Sequence, residues 1–261
     1  MSQTLEIERQ DSVATIWLNR PDRHNAFDET LIAELTAACQ ALEADEAMRV
    51  VVLAGRGKSF SAGADLNWMQ RAAGYTVEQN LADARQLATM LRTLAELRKP
   101  TIARIHGAAL GGGMGLAAAC NLCVASTAAS FATSEVRFGL IPATIGPYVL
   151  RAIGARQAAR YFLTAERIAA RRAWELGLVH ELTEPDALDA RIRDIVNALL
   201  AGGPQAQAAA KDLIRALADR PVDNALVEDT AQRIARIRAT PEAKEGLSAF
   251  LEKRSPNWME S

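Results

Sequence analysis

The sequence predicts an α/β fold with largely parallel strand pairing and a helical C-terminal segment, on three observations. Two short β-branched runs, SVATIWLNRP and MRVVVLAGRG, each end in a turn signal and flank the amphipathic stretch DETLIAELTAACQALEADE. The alternation then repeats. TVEQNLADARQLATMLRTLAELRK has helical spacing and is stopped by Pro100; TIARIHG reads as a strand, GMGLAAAC as a helix and LCVAS as another strand. Beyond residue 146 the strands thin out, and Gly202-Gly203-Pro204 sets off a final helical block of QAQAAAKDLIRALA, NALVEDTAQRIARIRA and PEAKEGLSAFLEKR. The expected division is an α/β core over 1–201 and a helical segment over 202–261.

Composition narrows the function classes. A chain of 261 residues, 49% hydrophobic and 23% charged, can bury a full core. Thirty basic against 31 acidic residues leave a formal charge of −1, so bulk electrostatics draw in neither nucleic acid nor an anionic membrane. No apolar stretch reaches the roughly 18 residues of a membrane span, and MSQTLEIERQ has neither a basic start nor an apolar core of a signal peptide. A cytoplasmic protein is expected. Cys39, Cys120 and Cys123 are odd in number, which fits a reducing compartment. Cys120 and Cys123 spell C-x-x-C without a second pair or a nearby His, so they read as small core residues and no metal is expected.

HGAALGGGMGLAAAC, residues 106–120, places three glycines between a strand and a helix. The unpaired N–H groups of a helix start are available there to an oxygen carrying negative charge. The run fits neither a dinucleotide fingerprint, since no acidic residue follows at the expected distance, nor a P-loop, since no Lys-Ser/Thr follows. GKSFSAGADLNWM, residues 57–69, is a second strand-end loop with Gly63 between small residues. Two such loops can supply paired donors to an oxyanion. SFATSEVRFGLIPATIGP then offers Glu135 among Phe131, Val136 and Phe138, a setting that raises a carboxyl pKa and suits a proton shuttle.

FSAGADL, IHGAALGGGMGLAAAC, SEVRFGLIP and LTAERIAARRAWELGLV, in this order and spacing, resemble the crotonase (enoyl-CoA hydratase/isomerase) family. LNRPDRHNAF near the start and AFLEKR near the end extend the likeness over nearly the whole chain. The resemblance implies a crotonase-type spiral of four ββα turns with a C-terminal helical trimerisation segment, assembled as a homotrimer or a dimer of trimers. It implies an acyl-CoA substrate, with coenzyme A as part of that substrate and no other cofactor. Oxyanion donors fall on the N–H groups of Ala64 and Gly112. CoA contacts fall on Arg23, His24 and Ala26, on Ala62, Ala64, Asp65 and Leu66, and on Lys253 reaching from a neighbouring subunit. Trp68, Met69 and Tyr148 are candidate walls of the acyl pocket. The stripe Leu213, Ile214 and Leu217 marks an apolar face expected between subunits.

One departure bears on the chemistry. Family hydratases typically carry two glutamates, one just after the glycine run and one in the motif around Glu135; here the first position is Gly115. Asp65 follows the oxyanion donor and is placed on the CoA side, so it does not replace the missing acid. A single carboxylate can still deprotonate a water and return the proton to Cα. Finer likeness of GADLNWM and SEVRFGLIPATIGPYVLRAIG to bacterial hydratases of the methylglutaconyl-CoA and carboxygeranoyl-CoA type favours hydration of a branched or carboxylated enoyl-CoA. The alternative is Δ3,Δ2-isomerisation by Glu135 alone. An RNA-binding branch of the family uses lysines along a surface helix, whereas DETLIAELTAACQALEADEA has none. A non-catalytic CoA-binding scaffold would not need Glu135.

Overall fold

The computed structural model describes residues 3–259. Its first pair, β1 (Leu5–Gln10) and β2 (Val13–Leu18), is an antiparallel hairpin, and α1 (Glu29–Ala44) follows. β2 alternates half-buried and buried positions, as a strand with one face on the core must. Asp28 caps α1 by accepting the Leu31 N–H at 3.0 Å. β3 (Val50–Gly55) is buried throughout and leads into α2 (Leu66–Ala72) and α3 (Val77–Glu96). Thr76 and Gln79 form a reciprocal capping box at the start of α3.

Next come β4 (Thr101–Ile105), β5 (Ala108–Leu110) and α4 (Gly112–Ala119), then β6 (Leu122–Ser126), β7 (Ser130–Ala132) and α5 (Gly146–Thr164). β8 (Ile168–Ala169), α6 (Ala170–Glu175), β9 (Glu181–Thr183) and α7 (Leu188–Ala201) complete the core, and α8 (Pro204–Leu217), α9 (Asn224–Arg238) and α10 (Pro241–Glu252) end the chain. The break between α7 and α8 falls at Gly202 and Gly203.

Two sheets result. The larger runs β1-β2-β3-β4-β6-β9, parallel from β2 onward. The smaller runs β5-β7-β8, and a bridge from Ser61 to Ala109 extends it toward the β3 turn. Successive turns of chain thus lay one segment on each sheet, β3 with Ser61, β4 with β5 and β6 with β7, which is a spiral. The main core lies among α1, α3, α4 and the inner sheet faces, while Val50, Val52, Ile102 and Val124 pack a second layer against Leu188, Ile192 and Val196 of α7.

Two cations, Lys211 buried and Arg49 half-buried, tie the C-terminal helices to this core. Lys211 of α8 is buried and donates to the carbonyls of Leu97 and Lys99, at 2.8 Å for the latter, where α3 ends. Burial pushes its pKa down to about 8. Arg49 donates to the carbonyls of Leu200 and Trp258 at 3.1 and 2.9 Å, and to that of Gly202 at 2.5 Å. Among the described residues no helix is long and apolar enough to cross a membrane.

Candidate active site

Three loops meet at the glycine run, and backbone hydrogen bonds fix how they meet. Ser61 N–H donates to the Ala108 carbonyl at 3.0 Å, Leu110 N–H to the Ser61 carbonyl at 2.9 Å, and Gly111 N–H to the Ala132 carbonyl at 2.8 Å. The loop after β3 is therefore stitched to β5, and β5 to the segment carrying Glu135. His106 adds a contact, its Nε2 lying 2.9 Å from the Gly57 carbonyl.

The resulting packing explains each glycine. Gly63 has φ +90°, and a Cβ on it would lie 2.8 Å from the Leu110 carbonyl oxygen. Gly111 has φ +49°, and its missing Cβ would meet Glu135 Oε1 at 3.3 Å. A Cβ on Gly112 would press into the Phe27 ring, 3.0 Å from Cδ2, and one on Gly113 would sit 2.6 Å from the Ser61 carbonyl oxygen. The glycines therefore serve tight packing as well as access to the backbone; room for a ligand oxygen is not their whole role.

Two of the donors this packing leaves free belong to Ala64 and Gly112. The Phe27 N–H goes to the Gly63 carbonyl at 2.6 Å and the Asp65 N–H to the Phe27 carbonyl at 2.7 Å, so the intervening Ala64 N–H points away from that ladder. Gly112 is the first residue of α4, and its N–H has no intrahelical partner. Neither N–H bonds another protein group among the described residues. Both loops touch where Gly63 packs on Leu110 and Gly111.

Glu135 starts a 3-10 turn, Glu135–Phe138. Its Oε2 is buried without a hydrogen-bond partner. Burial pushes its pKa above the ordinary value. The expected surroundings need a correction: Phe131 is wholly buried and Val136 half-buried, but Phe138 is 62% exposed, because the short 3-10 turn carries it to the surface. On one side, the Glu135 carboxylate packs against the Gly111 backbone.

Arg23 and His24 occupy a tight turn in which His24 and Asn25 have φ of 51° and 55°. Wholly buried Asn25 holds it, accepting the Arg20 N–H at 2.8 Å and donating to the carbonyls of Arg56 and Ser59. His24 is exposed, with Nδ1 3.1 Å from Ser59 Oγ, and its carbonyl accepts the Ala62 N–H at 2.9 Å. Ala26 is buried, and both its backbone groups are used within the turn: its N–H donates to Arg23 and its carbonyl accepts from Arg20. Leu66 is exposed at the head of α2 and Lys253 exposed just past the end of α10.

Asp65 does something the sequence did not suggest. Its carboxylate bridges Arg20 and Arg23, each at 3.2 Å, and caps α2 by accepting the N–H groups of Asn67 and Trp68. Burial works to raise its pKa, but hydrogen bonds from Arg23 and the Trp68 and Asn67 N–H groups outweigh that and hold it low. With its oxygens committed, the Asp65 side chain organises the loop. Arg20, missed in the sequence reading, completes the cluster with Asp28 at 2.9 Å; its partners are 8 and 45 residues away and no local pattern marks them.

Among the pocket-wall candidates, Trp68 is buried and donates its indole N–H to Asp83 at 3.1 Å, joining α2 to α3. Met69 and Tyr148 are half-buried. Cys39, Cys120 and Cys123 are buried free thiols; burial pushes Cys39 and Cys120 up to about 12 and Cys123 further, so none is a thiolate at neutral pH.

The position of the absent second glutamate is filled. A Cβ on Gly115 would run into Ile145, lying 2.7 Å from its Cβ and closer still to its Cγ2.

Comparison with known proteins places this geometry among relatives. The family profile described as enoyl-CoA hydratase/isomerase matches residues 8–261. A solved structure of an enoyl-CoA hydratase from Shewanella pealeana superposes with a TM-score of 0.96 at 46% identity, covering 98% of this chain and 96% of that one. The crotonyl-CoA hydratase of Syntrophomonas wolfei is 31% identical over 98% of each chain. The 2,3-dehydroadipyl-CoA hydratase of Escherichia coli is 32% identical over 97% of this chain and 98% of its own.

Proposed function

Because the chain belongs to the enoyl-CoA hydratase/isomerase family and has its fold, we propose that it is an enoyl-CoA hydratase that works with one carboxylate. The observation that carries this reading is the Glu135 carboxylate, buried and unpartnered at Oε2, packed on Gly111 beside the two unpaired N–H groups of Ala64 and Gly112. A thioester oxygen between those donors takes up enolate charge as bonds shift. Ionised Glu135 accepts a proton from water as the water oxygen bonds to Cβ, then returns that proton to Cα. Water is thereby added across the 2,3 double bond, with no cofactor beyond the CoA portion of the substrate.

CoA then lies along Arg23, His24, Ala26, Ala62 and Leu66, with Lys253 supplied by a neighbouring subunit in a homotrimer or a dimer of trimers in the cytoplasm. A branched or carboxylated acyl group is the favoured substrate, on the likeness in the GADLNWM and SEVRFGLIPATIGP segments. The E. coli relative's name denotes an acyl chain that itself ends in a carboxylate.

Gly115 in place of a second acid favours a second reading, in which Glu135 moves a proton between Cα and Cγ and no water is added. A panel of straight, branched and carboxylated enoyl-CoAs, assayed separately for water addition and for double-bond migration, decides. Hydration of at least one thioester is expected; migration without any hydration gives the case to the isomerase.

A further inference from the structure

Gly111 is the N-cap of α4, and the Gly115 N–H one turn in donates to its carbonyl at 3.1 Å. Glu135 packs against Gly111, and Ile145 packs one turn further along against Gly115. Ile145 is 1% exposed and precedes the first turn of α5, where its carbonyl accepts the N–H groups of Tyr148 and Val149, both at 3.1 Å. Its backbone is thus held and its side chain has no route to swing into solvent. A side chain at 115 would have to leave Gly115 through the space the Ile145 Cβ and Cγ2 occupy.

From this we infer that Ile145 is the positioning residue that commits the site to a single carboxylate, by filling the volume a second acid from position 115 would use. Gly115 is then a consequence of Ile145 and not merely an absent glutamate, and proton transfer runs through Glu135 alone because the neighbouring wall is apolar. The inference rests on the reading of Glu135 as the site's base. Branching at Cβ brings in the closest atom of the contact, Cγ2: valine at 145 keeps a Cγ in place, whereas alanine removes it and leaves the Cβ.

The experiment is a cycle of Gly115→Ala and Gly115→Glu in backgrounds carrying Ile145, Ile145→Val or Ile145→Ala. With Ile145 or Val, either change at 115 should lower Tm by about 2–10 °C, the range expected for overpacking a dense core in a chain of this size. Ile145→Ala removes the closer Cγ2 contact and keeps the Cβ at 2.7 Å, so part of that loss should vanish. Gly115→Glu/Ile145→Ala should also show a second ionisation in the pH profile of kcat/KM, which a purely structural role for Ile145 would not produce. Equal Tm losses in all three backgrounds would overturn the inference, as would a folded Gly115→Glu/Ile145→Ala enzyme with an unchanged pH profile. The Tm cycle needs no turnover, and double-bond migration supplies a pH profile if hydration is absent, so failure of the hydratase reading is read apart from failure of this one.

Discussion

The Glu135 carboxylate rests on Gly111, its Oε1 3.3 Å from where a Cβ would be, so a side chain at 111 would press on the acid. That contact places the Glu135 carboxylate against the residue that precedes a proposed oxyanion donor, Gly112. It also buries the carboxyl, and burial raises its pKa.

Glu135→Gln keeps the shape and removes the base, so turnover should fall by about 10²-fold to 10⁴-fold while substrate binding survives. The acid limb of kcat/KM in the unmutated enzyme should lie above the ordinary carboxylate range, since the ionised form is the active one. The stability effect has the opposite sign. The native state holds on to a proton that the unfolded chain releases, so Glu135 costs stability as pH rises from the ordinary glutamate value through the raised one. Glu135→Gln should therefore unfold at a higher temperature than the parent at neutral pH. Thermal melts at pH 4 and pH 8 check this, and a near-normal rate in the variant would remove Glu135 from its role.

Gly112→Pro deletes an oxyanion donor, and position N1 of a helix accepts proline's backbone. The Phe27 ring, however, obstructs any Cβ at 112, so the proline variant alone confounds a missing N–H with a steric clash. Gly112→Ala meets the same ring and keeps the N–H. The ratio of the two rates isolates the donor, and the proline variant should be slower than the alanine variant by about 10²-fold to 10³-fold in kcat. Equal rates in two folded proteins would take Gly112 out of the oxyanion hole.

Much of this site is legible in the sequence because its parts are local. The glycine run falls where a strand passes into a helix, with Gly111 the link and Gly112 and Gly113 already in the first turn of α4, and the Thr76–Gln79 capping box and the Asp28 cap mark their helices in the same way. β5 and β7 have three residues each and β8 two, too short for a period of two to show, so the second sheet had to be seen. Contacts across long separations were invisible for another reason. Gly115 and Ile145 are 30 residues apart, Arg20 and Asp65 45 apart, and no spacing rule connects a residue to what fills the volume beside it.

Asp65 illustrates what such a contact controls. Its side chain is 6% exposed and that of Arg20 10%, but Arg20 keeps Asp28 at 2.9 Å, so Asp65→Asn should cost less than the about 3–5 kcal/mol of a buried pair fully broken. Because the native pKa of Asp65 is depressed, its contribution is present above the ordinary aspartate value and is lost as pH falls through the native one. Denaturant unfolding should show the parent losing stability below about pH 4 and the variant losing less of it over that same window. Parallel pH curves for the two proteins would mean the cluster contributes nothing.

The C-terminal helices make the assembly testable. Leu247, Phe250 and Leu251 lie at i, i+3 and i+4 on α10, hence on one face, and are 59%, 80% and 78% exposed in the single chain. Ile214 of α8 and Val227 of α9 are exposed as well, while Leu213 and Leu217 are half-buried, so the apolar surface extends beyond the stripe read from the sequence. Three large side chains on one helical face, rimmed by charge, are costly to leave in water and are the surface a second copy of the chain would cover. The parent should sediment as a trimer or larger at micromolar concentration, and Phe250→Asp/Leu251→Asp should shift it to the monomer with its helical circular dichroism intact. Lys253 lies just past this face, exposed and left-handed in backbone. If it reaches the CoA of a neighbour, Lys253→Ala should keep the trimer and raise KM a few-fold with kcat little changed. A parent that sediments as a monomer with full activity would remove both the interface and the shared lysine.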